Sequence, residues 1–199
     1  MASILLVCTG NVCRSPVAEA MVRSTLSRKL GDETPKVSSA GTAGWEGSPA
    51  TREAVHAAAE RGVDISRHVA RRLDPAMVGD ADLVLCMGRA HCEEIVEEHP
   101  ADAGKVFTLK EFVRLVEEEN IIGDRPADDS LAQRVALADG RRRGGFTGNP
   151  LDEDITDPLG LPLDAFRAVA WELESWSSRL ADAIAVHAPA VAVPGDEER

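Results

Sequence analysis

The stretch Ser3-Ile4-Leu5-Leu6-Val7-Cys8-Thr9-Gly10-Asn11-Val12-Cys13-Arg14-Ser15-Pro16 decides the fold. Ser3 to Val7 is short, apolar and bounded by the Thr9-Gly10-Asn11 turn, so it reads as a buried strand. Beyond the turn a helix starts. Ser15 is a cap-like residue and Pro16 suits a first turn, and Val17, Ala20, Met21, Ser24 and Leu26 supply a mainly apolar face. Gly31 to Pro35 ends that helix.

The same alternation continues along the chain. Lys36 to Gly41 is a second strand candidate, and Pro49 to Arg61 a helix stopped by Gly62. Ala81 to Met87 is a third strand whose unbroken apolar centre implies burial on both faces. A helix from Arg89 to Glu98 ends before Pro100, as the restriction on residues preceding proline favours. Val106 to Leu109 is a fourth strand, and Lys110 to Glu119 a helix. Residues 124–149 are polar and read as an extended loop or partly helical insertion. Leu163, Phe166, Val169, Ala170, Leu173, Trp176, Leu180 and Ile184 then recur at helical spacing. The expected fold class is therefore α/β: a single domain over 1–187 with a four-stranded, mostly parallel sheet and helices on both faces. An insertion is expected at about 121–149 and a disordered acidic tail at 188–199. In such a sheet ligands bind beyond the carboxyl ends of the strands, which is where Cys8 falls.

With 199 residues, 44% of them apolar, the chain suffices for one well-cored domain. No run of about 18 apolar residues is present, and the start lacks a basic segment leading into a signal core. A cytoplasmic protein without membrane attachment is expected. The formal net charge of −12 argues against nucleic acid as a partner, so any anion site must be made locally. The cysteines Cys8, Cys13, Cys86 and Cys92 read as intracellular thiols rather than a disulfide framework. Their spacing lacks tight CxxC pairs and no histidine pair accompanies them, so neither a metal nor another cofactor is expected.

The loop itself narrows the chemistry. A nucleotide-binding GxxxxGK[ST] loop is absent because no lysine stands in place. What remains is a cysteine, five residues, an arginine and a serine at a strand-to-helix junction. Backbone amides from Cys8 to Ser15 and the helix N-terminus can converge on a phosphate dianion, and Arg14 adds a planar fork of donors. The same field favours a thiolate at Cys8, which can attack phosphorus. The bland alternative is a small buried thiol at a strand end beside a solvated arginine. A covalent route also needs an acid for the leaving oxygen. Asp157, before Pro158, is a candidate, with Asp152, Glu153, Asp154 and Asp164 as competitors that composition alone cannot separate.

The segment CTGNVCRSP, with SSAGTAGW, GVDISRHVARRL, ADLVLCM and DPLGLP in that order, resembles the low-molecular-weight protein-tyrosine phosphatase family over residues 1–112 and 150–185. The resemblance implies a Rossmann-like domain of the phosphotyrosine phosphatase I type. It implies Cys8 as nucleophile, Arg14 as oxyanion clamp and Asp157 as acid and then base, acting through a phosphocysteine intermediate. Thr9, Gly10, Asn11, Val12, Cys13 and Ser15 would complete the phosphate-binding loop. Ser15 would help activate the Cys8 sulfur, and Asn11 would hold the loop in an unusual conformation with support from Ser39 and His68. Trp45 and Leu159 would form the substrate rim. Cys13 would form a reversible disulfide with Cys8, making the activity redox-sensitive and a thioredoxin-type reductant a partner beside the phosphorylated protein or small phosphoester substrate.

The chain also departs from that family. It has Leu159-Gly160 where members acting on phosphotyrosine often carry tyrosines, and no tyrosine anywhere. Arginine-phosphatase relatives have threonine where this chain has Val12, and the apolar valine leans toward an aryl substrate. Phosphoarginine hydrolysis stays as an alternative. So does a thiol-linked arsenate reductase of the same fold, for which Cys86 and Cys92 would be the relay thiols. A module that binds phosphate without turnover is the non-enzymatic alternative. Arg141 to Arg143 would either attract an acidic partner or belong to a solvated loop.

Overall fold

The structure is a computed structural model, which describes residues 1–122, 130–145 and 152–185. The expected tail at 188–199 and parts of the expected insertion lie outside the described residues. Four parallel strands, β1 (Ser3–Cys8), β2 (Lys36–Gly41), β3 (Leu83–Cys86) and β4 (Val106–Thr108), form one sheet in the order β2-β1-β3-β4. The helices between and after them are α1 (Arg14–Leu30), α2 (Arg52–Glu60), α3 (Pro75–Asp80), α4 (Arg89–Glu98), α5 (Leu109–Ile122), α6 (Leu131–Arg143) and α7 (Leu163–Ala185).

The two-residue period of each strand sorts its side chains to opposite faces. Ile4, Leu6 and Cys8 join Leu83, Leu85 and Met87 in the larger core, while Leu5, Val7, Val84 and Cys86 join the smaller one with Val78 and Ile95. Helix α1 packs along α7 over the larger core. A leucine as fully buried as Leu6 or Leu85 contributes about 2 kcal/mol by leaving water. Because β2 lies on one side of β1 and β3 on the other, the chain leaves β1 and β3 in diverging directions. The crevice this opens at their carboxyl ends receives the loop 8–14 and the start of α4.

Three local expectations change. The α1 helix begins at Arg14, with Cys13 at the cap position and no side-chain cap. Ser15 is not the cap because its hydroxyl is engaged with Cys8 and Asn11 instead. The buried face of α1 is also wider than expected: Ala18, Val22 and Thr25 are inside, whereas Ser24 is exposed. Second, α2 starts at Arg52, capped by the Thr51 hydroxyl, since Pro49 is held in a bridge to Val69.

Third, residues 131–143 of the polar region form a helix, packed through Leu131, Val135 and Ala138. Arg141 donates to the Leu115 carbonyl at 2.6 Å, and Arg142 donates to Val106 and Ala103 while lying over the Phe107 ring. Arg143 pairs with Asp139. Arg141 and Arg142 thus fasten α6 to the domain, while Arg143 stays on the exposed face of the helix; none of the three belongs to a solvated loop. No helix among the described residues is long and apolar enough to cross a membrane.

Candidate active site

The turn after β1 is shaped by where its carbonyls go. Those of Cys8, Thr9, Gly10 and Val12 accept hydrogen bonds from the amides of Thr42, Ala43 and Gly44, Trp45, and Thr51, and His68 Nε2 donates to the Asn11 carbonyl at 2.8 Å. In a trans peptide the next N–H points opposite to the carbonyl. Five carbonyls tied outward therefore turn the amides of residues 9–13 inward, toward the cavity lined by Cys8, Thr9, Gly10, Val12, Cys13, Arg14, Trp45, Asp157 and Leu159. The uncapped N-terminus of α1 opens on the same loop. Gly41 permits this closeness: a Cβ there would lie 2.5 Å from the Thr9 carbonyl oxygen.

Asn11 is the only non-glycine residue with positive φ among those described, at 56°, and it is wholly buried. Its side chain spends every polar atom on the loop. Nδ2 donates to Ser15 Oγ and Ser39 Oγ, both at 2.9 Å, while Oδ1 accepts from the Arg71 amide at 3.0 Å. Ser39 in turn donates to Glu19 Oε2 at 2.6 Å, which turns its lone pair toward Asn11. Ser15 Oγ lies 3.0 Å from Cys8 Sγ, nearer than its other acceptor, the Ala40 carbonyl at 3.4 Å. It is therefore placed to donate to a thiolate.

Arg14 is buried beside this loop. Its Nη2 donates to Asp157 Oδ2 at 2.6 Å, and Nη1 donates to the Ile155 carbonyl at 3.2 Å. The Asp157 carboxylate is half exposed, and its other oxygen accepts from the Leu159 amide at 3.2 Å. The competing carboxylates have other work. Asp152 and the Asp154 carbonyl are held by Lys110, Glu153 accepts from Thr108 and faces Arg114, Asp154 Oδ1 accepts from the Arg89 amide, and Asp164 pairs with Arg167. These bonds bring the loop ahead of α7 against the ends of β3 and β4, and the Ile155 amide donates to Met87.

Trp45 and Leu159, both substantially exposed, stand at the cavity with Val12. Cys13 also lines it, and burial pushes its thiol up to about 11, more than the Thr51 hydroxyl and Arg14 pull it down. It is a protonated thiol at neutral pH. Cys86 is fully buried at the end of β3, and burial, with Cys92 next to it, pushes it well above the ordinary thiol range. Cys8, Asn11, Arg14, Ser15, Ser39, His68 and Asp157 thus come together in space.

Sequence reasoning missed Glu19, Arg71, His91 and Lys110. Glu19 follows Ser15 by one helical turn, a spacing that could have found it. Arg71 acts partly through its backbone amide, which no side-chain pattern reveals, and Lys110 and His91 owe their places to packing between distant elements. Among the described residues no three His, Cys, Asp or Glu side chains form a cluster that could hold a metal.

Known proteins share this arrangement of elements. The family model described as "Low molecular weight phosphotyrosine protein phosphatase" matches residues 3–133, a span that includes the Cys8 loop, Ser39, His68 and His91 and stops short of Asp157. A probable low molecular weight protein-tyrosine-phosphatase, EpsP of Ralstonia solanacearum, is 45% identical over 112 residues, covering 55% of this chain and 72% of that protein. A protein-arginine-phosphatase of Geobacillus stearothermophilus is 33% identical over 179 residues, 90% of this chain and 93% of that one. The crystal structure of a low molecular weight protein tyrosine phosphatase from T. tengcongensis superposes with a TM-score of 0.68 at 33% identity, covering 92% of this chain and 99% of that chain. With more than half of its length matched by the family model, the chain belongs to the low molecular weight phosphotyrosine protein phosphatase family, a family of hydrolases.

Proposed function

We propose that this chain hydrolyses phosphate monoesters, protein phosphotyrosine foremost, through a phosphocysteine intermediate. The observation that carries the reading is the convergence of Cys8, the inward amides, Arg14 and Asp157 on one cavity. In the first step Cys8 Sγ forms a bond to phosphorus as the bond to the leaving oxygen breaks, and Asp157 gives that oxygen its proton. The loop amides and Arg14 take up the charge on the equatorial oxygens. In the second step water attacks phosphorus, Asp157 takes its proton, and the thiolate leaves with Ser15 donating to it.

The apolar wall of Val12, Trp45 and Leu159 favours an aromatic leaving group. Phosphoarginine is the second reading, supported by the arginine-phosphatase relative that spans nearly the whole chain. Cys86 is fully buried and does not line the cavity that holds Cys8, which makes it a poor relay thiol and weighs against arsenate reduction. Cys13, sharing the cavity with Cys8, serves as the resolving thiol when peroxide oxidises the nucleophile: the sulfenic acid condenses with it, water leaves, and a thioredoxin-type dithiol reverses the disulfide. Four free cysteines fit a reducing cytoplasm.

The test is a comparison of rates on phosphotyrosine, phosphoarginine and phosphoserine peptides, with wild type, Cys8→Ser and Asp157→Asn. Phosphotyrosine should be fastest. Cys8→Ser should bind phosphate without turnover, and Asp157→Asn should slow poor leaving groups by roughly 10²–10⁴ and good ones less. Full activity in Cys8→Ser would exclude the intermediate, and faster phosphoarginine cleavage would move the substrate to the second reading.

A further inference from the structure

We infer that His91 is a positioning residue for the phosphate clamp: acting through Thr9, it holds the Arg14 guanidinium in place when Asp157 loosens its hold on it. This rests on the phosphatase reading of the site. Arg14 has three anchors, the Ile155 carbonyl on Nη1 and, on Nη2, the Asp157 carboxylate at 2.6 Å and Thr9 Oγ1 at 3.5 Å. An acid that protonates the leaving oxygen cannot also hold Arg14 as a carboxylate. During the first chemical step Asp157 keeps only the weaker acceptor of a carboxylic acid, and the Ile155 carbonyl and Thr9 carry more of the protein's hold on the guanidinium.

Proton accounting then reaches His91. A guanidinium only donates, so Thr9 Oγ1 accepts from Arg14, and its single proton must go elsewhere. The acceptor is His91 Nε2, 2.9 Å away. That assignment requires an unprotonated Nε2 and places the ring proton on Nδ1. Nδ1 is buried and makes no full hydrogen bond, in a residue only 8% exposed, with the Gly88 carbonyl at the start of α4 acting on the ring.

The surroundings keep the ring neutral. The charged groups around it are Arg14 from α1, Glu94 on its own helix and Asp154 from the loop before α7. Burial and then Arg14 lower its pKa, more than the Gly88 carbonyl, Glu94 and Asp154 raise it. A protonated ring would make Nε2 a donor and deprive the Thr9 proton of its acceptor. Asp154, which accepts from the first amide of α4, also ties the helix carrying His91 to the loop that supplies the Ile155 carbonyl.

The experiment compares wild type, His91→Leu, His91→Gln, Thr9→Val and the His91→Leu/Thr9→Val double variant, first confirmed folded by circular dichroism. It reads p-nitrophenyl phosphate turnover and, by calorimetry, affinity for inorganic phosphate. His91→Leu should weaken phosphate binding and lower kcat by about tenfold each, the worth of one charge-assisted bond. His91→Gln, whose amide oxygen can accept from Thr9, should recover both to within about threefold. The double variant should be no worse than Thr9→Val, because the two residues form one chain.

Native affinity and kcat in His91→Leu, or losses that simply add to those of Thr9→Val, would overturn the inference. Should His91→Leu not fold, Thr9→Val must itself lose about tenfold and His91→Gln must not, or the inference fails. A wild type without turnover would sink the phosphatase reading instead, and the phosphate arm would still decide the role of His91.

Discussion

Asn11 carries more of the loop than any other single residue. Its backbone sits at φ 56°, where asparagine is tolerated better than most residues with a Cβ, and its amide satisfies two serines and a backbone N–H. Two substitutions separate these contributions. Asn11→Gly keeps the permitted backbone but strands its three partners, and should cost about 2–3 kcal/mol at roughly one per lost bond. Asn11→Ala loses the same bonds and adds about 1 kcal/mol of left-handed strain. Urea denaturation of the two variants should rank alanine below glycine, with turnover reduced in both because Ser15 loses the donor that orients it. Equal midpoints would mean that the conformation is imposed by the surrounding loop and not by residue 11. The sequence reading reached Asn11, Ser39 and His68 because they lie in recognisable motifs. Glu19 escaped it because a glutamate in the first turns of a helix has many ordinary explanations.

At the scale of elements, the loop 152–157 shows why four of its neighbouring acids could not be told from Asp157 by composition. Three are assigned by partners contributed from elsewhere, Lys110 and Arg114 of α5, Thr108 of β4 and the amide at the start of α4, while Asp164 pairs with Arg167 one turn along its own helix. Strand and helix periodicity made the sheet and the α7 face legible, since both are local patterns. The pairing of loops across the sheet end depends on strand order, which no local pattern encodes.

Lys110 tests this arrangement. It is almost wholly buried, bonded to Asp152, Glu172 and the Asp154 carbonyl. Burial pulls its pKa down, but the bonds to Glu172 and Asp152 outweigh that and leave it raised. A raised lysine pKa means the clamp is in full force below the ordinary lysine range and fades as pH climbs through its folded value. Lys110→Met should cost about 2 kcal/mol, below the value for a fully buried pair because Asp152 is largely exposed. With its acid loop loosened, the variant should lose more rate on phenyl phosphate than on p-nitrophenyl phosphate. Equal losses on the two esters would show that Lys110 stabilises the domain without placing Asp157.

For the molecule as a whole, the anion site is a small cationic feature in a chain of net charge −12. Arg14 and the inward amides act over a few ångströms, whereas the excess carboxylates act on an approaching substrate over a Debye length, about 10 Å at 0.1 M salt. The expected insertion does not reverse this balance: the arginines of α6 are committed to carbonyls and to Asp139. A phosphotyrosine peptide flanked by lysines should therefore be cleaved with a higher kcat/KM than one flanked by glutamates, by several-fold at about 10 mM salt. The ratio should shrink toward one near 0.5 M, where screening leaves only contacts made in the cavity. Uncharged flanks should fall between the two, with p-nitrophenyl phosphate following them. A preference for the acidic peptide at low salt, or a ratio indifferent to salt, would mean that the surface around Trp45 and Leu159 sets the local field against the sign of the whole.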